Sequence, residues 1–363
     1  MKNRIRQFLG SGWAAVSVGA LLAIILLGLF ILLKASHQTG FAVQSVDYYS
    51  FGSAGEQYDR AGSNLAAVSG SGCTLLSPAG EILCSQSLSF AAPAAVGGSA
   101  LSLFYDAGGS DCMVVRNDGN TLLFSQAEPL LFCDVSDLGY FALATGNGDS
   151  GRVQVYDNYT KPVFAFHCAA GNYPAGVRLL GSSRVAVHCL TSAGSTVRVF
   201  SLSSGKEEWS FTYEKGILLD MHYFDNGSLA LVAEEEILVL GRNGQLQNRF
   251  GYNGLLLADY CFAGDRLYLL LNVNRFGKEG TVYRLDDTGE CRDRLEVSRS
   301  IKSLSAYGPD LLVLYSDELT LYRHDFEDSI SYQHSDSAVR ALLYENSAVF
   351  LVDSYGATRI EFP

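Results

Sequence analysis

Basic residues are scarce in this sequence, and no cluster of them occurs beyond its first 34 positions. Those 34 residues contain four of the 26 lysines and arginines and none of the 38 acidic residues. Residues 35–363 therefore carry 22 basic and 38 acidic side chains, a formal charge of −16. A surface of this sign repels phosphate backbones and anionic lipid headgroups. The composition argues against nucleic acid as a partner and against general adhesion to membranes.

Helical periodicity is also missing from most of the chain. No amphipathic stretch of 12 or more residues occurs after position 34. Short segments alternate between apolar and polar residues instead, for example residues 196–200 and 281–285. This alternation is typical of half-buried β-strands. The bulk of the chain is therefore predicted to be all-β.

One long apolar run is present, and it lies near the N-terminus. Residues 13–33 contain no charged side chain, and Lys2, Arg4 and Arg6 precede them. A helix of this length extends roughly 32 Å, enough to cross a hydrocarbon core of about 30 Å. The basic flank predicts a cytoplasmic N-terminus. We expect a cytoplasmic tail at 1–12, a transmembrane helix at 13–33, a linker at 34–42 and an extracytoplasmic domain at 43–363.

A cleaved signal peptide is the alternative interpretation of this run. Signal peptides have about 7–15 apolar residues followed by a small-x-small cleavage site. This run is longer, and cleavage after Ala35 would place Leu33 where a small residue is required. We therefore expect an uncleaved single-pass anchor in the cell membrane.

Residues 43–363 repeat a pattern with a period of roughly 40 residues. Each unit has an apolar strand, a turn, a second strand and then a hairpin with Gly, Asn or Asp in its turn. The second strands are predicted to begin near Leu65, Ala100, Phe141, Val185, Leu229, Leu267, Leu311 and Val349. Four strands per unit predict one propeller blade per unit. The prediction is an eight-bladed β-propeller; merging two units would give seven blades.

The two ends of the repeat region complement each other. The last unit, residues 339–362, has room for only three strands, whereas residues 43–51 form a strand-like segment before the first full unit. We predict that 43–51 pairs with 358–362 as the outer strand of the last blade. This pairing would close the ring and remove an open sheet edge.

Residues 200–211 contain Gly205, Lys206 and Trp209 at the spacing of a known repeat motif, and residues 286–290 and 242–246 are degenerate copies. The pattern resembles the quinoprotein alcohol dehydrogenase-like (PQQ-like repeat) propellers, whose blades carry Asp-x-x-Thr-Gly-Lys-x-x-Trp. The order of short tail, single span and divergent propeller is similar to an uncharacterised membrane-anchored bacterial family of clostridial type. That resemblance implies an envelope location and a propeller fold, but no known activity.

The residues that would hold a cofactor in such propellers are missing. The quinoprotein resemblance would imply adjacent cysteines beneath a quinone, and this chain has no Cys-Cys pair. It has no Cys-x-x-Cys-His for haem, and Trp209 is the only tryptophan outside the apolar run. We expect no quinone, haem or metal cofactor.

Most of the eight cysteines fall in apolar, strand-like runs and are expected to be buried free thiols. Cys73 and Cys84 flank one hairpin. A two-residue Pro-Ala turn would pair them, whereas a type I turn followed by a left-handed Gly80 would shift the register by one residue. The second geometry is favoured, and it would place the two thiols on opposite faces.

Two His-Cys dipeptides, His167-Cys168 and His188-Cys189, offer the ligands of a zinc site. Successive residues on a strand point to opposite faces, however, so a dipeptide rarely brings both side chains to one ion. A buried cysteine beside a surface histidine is the expected arrangement in each case. Residues 146–150 are rich in Gly, Asn and Asp but lack the regularly spaced oxygen ligands of a calcium loop.

Active sites of propellers lie at one mouth of the central channel. Aligning the innermost strands places Gly176, Asp220, Ala258, Ser303 and Arg340 at equivalent positions, and this set has no catalytic pattern. No Gly-x-Ser-x-Gly elbow occurs, and residues 234–236, three glutamates, are expected to form a solvated turn. The sequence therefore predicts a non-catalytic scaffold that binds an envelope protein or peptide across a propeller face. A sensor or enzyme acting on a cell-wall glycan or small ligand at the channel mouth is the alternative.

Overall fold

The computed structural model describes residues 45–50, 56–147 and 150–363. Within these residues, 32 strands form eight antiparallel sheets of four strands each. The predicted all-β, eight-bladed propeller is confirmed, and the seven-bladed alternative is wrong. The predicted transmembrane helix lies outside the described residues. No helix in the described part of the chain is long and apolar enough to cross a membrane.

Each blade consists of four consecutive strands, except the last. Blades 1 and 2 contain β2 (Gln57–Ala61), β3 (Asn64–Ser69), β4 (Gly72–Leu76), β5 (Ile82–Ser87), β6 (Pro93–Gly97), β7 (Leu101–Asp106), β8 (Asp111–Arg116) and β9 (Thr121–Ser125). Blades 3 and 4 contain β10 (Leu130–Val135), β11 (Phe141–Asn147), β12 (Ser150–Tyr156), β13 (Pro162–His167), β14 (Tyr173–Leu180), β15 (Arg184–Thr191), β16 (Gly194–Ser201) and β17 (Glu207–Tyr213).

Blades 5 and 6 contain β18 (Leu218–Tyr223), β19 (Leu229–Ala233), β20 (Glu236–Leu240), β21 (Leu246–Gly251), β22 (Leu256–Ala263), β23 (Arg266–Asn272), β24 (Gly280–Asp286) and β25 (Cys291–Val297). Blades 7 and 8 contain β26 (Ile301–Tyr307), β27 (Asp310–Tyr315), β28 (Glu318–Arg323), β29 (Asp328–Gln333), β30 (Arg340–Leu343), β31 (Ala348–Val352), β32 (Ala357–Glu361) and β1 (Ser45–Tyr49). A single 3₁₀ turn in the described residues, Glu345–Ser347, joins β30 to β31.

The first strand of each blade is the innermost. First strands of successive blades contact one another, as β10 contacts β14 and β22 contacts β26, and together they line the central channel. Because strands alternate in direction, the connections between blades and the hairpins between second and third strands share one face. We call this the connection face. The start of every innermost strand lies at this face, which places those residues at one channel mouth.

The N-terminal strand occupies the outer position of the last blade. β1 pairs antiparallel with β32, with Ser45 opposite Glu361 and Tyr49 opposite Ala357. The ring of Tyr49 lies 6.1 Å from the ring of Phe350 in β31. The first and last described segments therefore share one sheet.

The burial of each strand depends on its position in the blade. Second strands are buried along most of their length, and three of them, Asn64–Ser69, Leu229–Ala233 and Ala348–Val352, are buried at every position. Outer strands such as Ile82–Ser87 are exposed at most positions. A second strand has a strand on either side and a blade on either face, which explains its continuous apolar sequence. The core thus consists of clusters packed between neighbouring blades.

The predicted hairpin turns contain glycines in the left-handed region, among them Gly80, Gly205 and Gly244 with φ of 86°, 69° and 77°. Gly244 also has a packing role. A Cβ atom there would lie 2.5 Å from Cε3 of Trp209 in the preceding blade. The indole Nε1 of Trp209 donates a hydrogen bond to the carbonyl of Arg242 over 2.9 Å. The Gly and Trp of the repeat motif thus meet across a blade interface.

The hairpin between β4 and β5 corrects one expectation. Gly80 is left-handed as predicted, but Leu75 lies opposite Cys84 and Cys73 lies opposite Gln86. The register slips a second time at Leu83, which restores the original alternation of side chains. Cys73 and Cys84 therefore lie on the same face, in one buried cluster, and not on opposite faces as expected. Both are free thiols.

Candidate functional site

Five innermost strands contain a bulge near their start. The register shifts between Leu130 and Phe132, Pro174 and Gly176, Leu218 and Asp220, Leu257 and Asp259, and Ile301 and Ser303. The residue after each bulge occupies an equivalent position at the channel mouth. Bulges re-aim side chains and recur beside functional sites. The mouth on the connection face is therefore the candidate functional site.

The predicted alignment of this mouth is correct at Gly176, Asp220 and Ser303 and wrong at Ala258. Ala258 is the bulged residue, so Asp259 takes the equivalent position. Arg340 begins β30. Its neighbour Ala341 donates its N–H to Ser303, just as Leu304 donates its N–H to Asp259. This shared pattern assigns Arg340 to the equivalent place in blade 8.

A charged network crosses the channel wall between blades 3 and 5. Nη1 of Arg178 lies 2.9 Å from Oδ1 of Asp134, and its Nη2 lies 3.2 Å from Oδ1 of Asp220. The second oxygen of Asp134 accepts the N–H of Leu179 over 2.6 Å. The hydroxyl of Tyr260 donates to Asp220 over 3.3 Å. These bonds tie the inner strands of four blades, 3 to 6, to one another.

Asp259 is the carboxylate that the sequence alignment missed. Its oxygens accept N–H groups from Leu304 over 2.7 Å and from Tyr260 over 2.9 Å. Burial raises the pKa of Asp259, and the two N–H bonds and the nearby Arg340 act in the opposite direction. Its oxygens thus hold the start of the next inner strand in place.

Three cations lie on the other side of the mouth, around a cavity of about 500 Å³ that Asp259 also lines. Nη1 of Arg340 lies 2.7 Å from Oδ1 of Asp59. Nζ of Lys302 lies 2.8 Å from Oδ1 of Asp336. Arg60 donates to the carbonyls of Ala306 and Leu343. Each cation already has protein acceptors.

One histidine, His188, is buried near this mouth, and a second, His222, is half-buried near the opposite end of the inner strand β18. His188 in β15 is only 2 % exposed, and His222 stacks on Phe262 with ring centroids 4.1 Å apart. Burial lowers the pKa of each to about 4. Both histidines are therefore neutral at pH 7. Nε2 of His188 is a buried nitrogen without a hydrogen-bond partner in the described structure.

The His-Cys dipeptides only partly follow their expected arrangement. His167 is exposed beside a partly buried Cys168, as expected, but His188 and Cys189 are both buried. The expectation of a surface His188 is wrong because the neighbouring blade covers β15. The Sγ atoms of Cys168 and Cys189 lie 3.7 Å apart. In the described parts of the chain, no group of three or more His, Cys, Asp or Glu side chains is arranged to hold a metal ion.

The three glutamates at 234–236 differ in their exposure to solvent. Glu234 and Glu235 are exposed, as expected for a solvated turn. Glu236 is 7 % exposed and binds Arg249 over 2.8 Å and Lys215 over 3.2 Å. It is therefore a buried ion-pair partner. Of the turn at 146–150, residues 148 and 149 lie outside the described residues.

Exposed apolar side chains surround the channel mouth. Six of them lie within three residues of the start of an innermost strand, and each is between 40 % and 60 % exposed: Phe132, Tyr173, Ile217, Leu219, Leu256 and Val339. We call this set the apolar rim. It belongs to five blades, 3, 4, 5, 6 and 8. Sequence reasoning missed it because these residues differ from core residues only through the bulges and strand starts that expose them.

A groove beside the rim combines apolar and acidic groups. Its volume is about 570 Å³, and its lining includes Glu234, Glu235, Leu255 and Leu256. Glu214 is also exposed on the connection between blades 4 and 5. Lys215 also lines the groove but is paired with Glu236. The connection face thus presents apolar side chains with a net negative charge next to them.

A model of a known protein family matches most of the chain. The family model described as "Family of unknown function (DUF5711)" matches residues 39–354. A search of curated proteins gives no match.

Solved structures share the propeller at low sequence identity. BamB from Moraxella catarrhalis is 13 % identical, with a TM-score of 0.57 over 88 % of this chain and 97 % of that chain. Sqt1 from Saccharomyces cerevisiae is 8 % identical, with a TM-score of 0.63 over 90 % and 100 %. The computationally designed Ika8 protein is 13 % identical, with a TM-score of 0.64 over 89 % and 100 %. At these identities the likeness concerns the fold alone.

Proposed function

The chain belongs to the DUF5711 family, whose function is unknown, and from that premise we propose that it is a non-catalytic protein-interaction scaffold. In this proposal the helix at 13–33 anchors the chain in the bacterial cell membrane, and the propeller lies on the extracytoplasmic side. The partner is an envelope protein or peptide that binds across the connection face.

The apolar rim is the observation that carries the proposal. Six large apolar side chains, each 40–60 % exposed, are spread over five blades around one mouth. Burying such side chains contributes roughly 25 cal/mol per Å² of apolar surface. A protein or peptide can cover several blades at once, whereas a small ligand cannot.

The polar residues of the channel support a non-catalytic role. Asp134 uses one oxygen for Arg178 and the other for the N–H of Leu179. Asp259 accepts two backbone N–H groups. These carboxylates are engaged in holding inner strands together. A catalytic acid or base needs a free approach to its substrate.

The charge of the face suggests the chemistry of the partner. Glu214, Glu234 and Glu235 are exposed next to Ile217 and Leu256 of the rim. An apolar segment with flanking lysine or arginine residues would match both features. We therefore propose a basic, apolar segment of an envelope protein as the partner.

A small-ligand sensor is the second candidate, because a cavity of about 500 Å³ opens at the same mouth. Its cations are each bonded to protein acceptors, and its lining is mixed in charge. Pockets for small ligands usually combine an apolar lining with a few convergent polar groups. The rim therefore favours the scaffold.

Site-specific photo-crosslinking in cells tests the scaffold. A photoreactive amino acid replaces Ile217 or Leu256 of the rim, or Tyr159 as the control. Tyr159 is 80 % exposed and lies in a turn between third and fourth strands, on the opposite face. We expect a defined protein adduct from the two rim positions and none from Tyr159. Equal adducts at all three positions, or none at the rim, would contradict the proposal.

A further inference from the structure

Two cysteines from neighbouring blades face each other. Cys168 directly follows β13 of blade 3, and Cys189 lies in β15 of blade 4. Their Sγ atoms are 3.7 Å apart. A disulfide bond requires about 2.05 Å between the sulfurs, so the thiols need only a small approach. Both are free in the structure.

The thiol pair is accessible from solvent on one side. A surface cavity of about 340 Å³ is lined by Cys168 and Cys189 together with Asn172, Arg198 and Glu207. Cys168 is partly exposed, whereas Cys189 is 3 % exposed. A small reagent can therefore reach the sulfur of Cys168 through the cavity.

The surroundings give the two thiols different roles. The Cys189 thiol donates a hydrogen bond that lowers the pKa of Cys168, and the Arg198 guanidinium acts in the same direction against burial. That same hydrogen bond, together with burial, raises the pKa of Cys189. Arg198 is held in place by Glu207 and by the ring of Phe166, whose centroid lies 5.0 Å from Cζ. Because the thiolate is the nucleophile, Cys168 is the attacking sulfur.

We propose that Cys168 and Cys189 form a dithiol site that low-molecular-weight disulfides oxidise to a disulfide between blades 3 and 4. The Cys168 thiolate attacks one sulfur of the reagent, forms a mixed disulfide and releases one thiolate. Cys189 then loses its proton and attacks Sγ of Cys168, which releases the second thiolate. Two protein thiols are oxidised and one reagent disulfide is reduced to two thiols.

The disulfide would link the start of the connection between blades 3 and 4 covalently to β15 of blade 4. This connection leads to Tyr173 of the apolar rim. An extracytoplasmic propeller would meet oxidising conditions in which such bonds persist. The chemistry itself needs only the purified chain and the reagent, so its test is independent of the proposed scaffold role.

A zinc ion is the competing occupant of a thiol pair. A structural zinc site takes four protein ligands. Within the described residues, Cys168 and Cys189 belong to no group of three or more candidate ligands. Two thiols alone favour oxidation over metal binding.

Thiol counting on the full-length chain in detergent tests the proposal. The reduced protein is incubated with glutathione disulfide, denatured and alkylated with N-ethylmaleimide, and its mass and peptides are analysed. We expect Cys168 and Cys189 to escape alkylation and one crosslink to join their two peptides, whereas the exposed Cys291 can at most take up glutathione. The Cys189→Ser variant should keep glutathione on Cys168. The Cys168→Ser variant should leave Cys189 open to alkylation.

Cys84→Ser is the matched control, because Cys84 is also buried and also has a second cysteine nearby, Cys73, in the same cluster. It should still form the crosslink between Cys168 and Cys189. The circular dichroism of each reduced variant shows that it has folded. Alkylation of Cys168 and Cys189 in the treated wild type, or a crosslink between other cysteines, would overturn the proposal. So would stoichiometric zinc in the purified wild type that is lost in Cys168→Ser.

Discussion

Arg359 in the last blade donates a hydrogen bond from Nε to the carbonyl oxygen of Pro78 in the first blade over 2.8 Å. Its other nitrogens lie 3.5 Å from Asp47 in β1 and 3.1 Å from Glu361 in β32. The Arg359 side chain is only 11 % exposed. One side chain therefore links the closing strand, the last blade and the first blade at the seam of the ring.

Replacing Arg359 should destabilise the whole domain. In Arg359→Leu the seam loses its charge-assisted hydrogen bonds. A hydrogen bond to a charged group contributes about 1.5–3 kcal/mol to stability. We expect the free energy of unfolding in urea to fall by about 2–3 kcal/mol. Arg294→Leu is the control, because that side chain is 67 % exposed and its ion pair spans 3.9 Å. Equal urea midpoints for the two variants would show that the Arg359 contacts at the seam contribute no more to stability than an exposed ion pair does.

Removing the closing strand β1 should destabilise the domain more than replacing Arg359 does. Deleting residues 41–51 removes β1 and exposes the edge of β32 in the last blade. We expect a loss of several kcal/mol, a large part of the about 5–15 kcal/mol typical of a domain. Light scattering should also show aggregation through the open edge. A chain that lacks residues 35–40 instead should melt like the intact protein; if both deletions melt alike, β1 does not hold the ring together.

The contact between Gly244 and Trp209 predicts that alanine costs more stability at Gly244 than at a turn glycine without such a contact. In Gly244→Ala the new Cβ would lie 2.5 Å from Cε3 of Trp209, in addition to the strain of a positive φ. In Gly205→Ala the φ is similar, but no atom lies within 4 Å of the new Cβ. The control should cost about 1–2 kcal/mol from backbone strain alone. Gly244→Ala should cost at least about 1 kcal/mol more by thermal unfolding.

His188 and His222 predict a loss of stability in weak acid. Their pKa is about 4 in the folded protein, below the ordinary value of about 6.5 in the unfolded chain. Their stabilising effect is therefore fully present above pH 6.5 and is lost as the pH falls toward 4, because the unfolded state binds protons first. Asp220 opposes this effect at His188, and Arg178 adds to it at His222. Burial raises the pKa of Asp134 and of Asp259. These two groups therefore add stability as the pH falls, and at the acid end of this range they offset part of the loss.

Urea unfolding at pH 7 and pH 5 measures this dependence. We expect the wild type to lose on the order of 1–3 kcal/mol between the two values. His222→Phe keeps a ring to stack on Phe262 and should flatten the dependence. His167→Gln is the control, since His167 is exposed and should change nothing. A wild-type stability that is the same at both pH values would mean that these histidines titrate normally.

The blade count could be predicted from the sequence because it depends on local signals. Each second strand begins within one residue of its predicted start, for example at Asn64 and Leu229, since a buried strand must be continuously apolar. Gly80, Gly205 and Gly244 mark turns that need a positive φ. These features are encoded within a few neighbouring residues.

The candidate site could not be predicted to the same degree because it depends on slips in register. A bulge adds one residue without interrupting the apolar pattern, so the sequence predicts Ala258 at the position that Asp259 occupies. The second register shift, at Leu83, also leaves no recognisable pattern in the sequence. The burial of His188 and the approach of Cys168 to Cys189 arise between blades, where no local pattern carries the information.

Membrane topology is the prediction on which the envelope role depends. If residues 13–33 form an uncleaved anchor with the basic residues inside, the whole propeller lies outside the cell. Protease added to intact protoplasts should then degrade the propeller, while a tag on residues 1–12 should stay protected until the membrane is opened with detergent. A cytoplasmic protein expressed in the same cells controls for leakage. A propeller protected in intact cells would remove the basis for an envelope partner, because the connection face would then be in the cytoplasm.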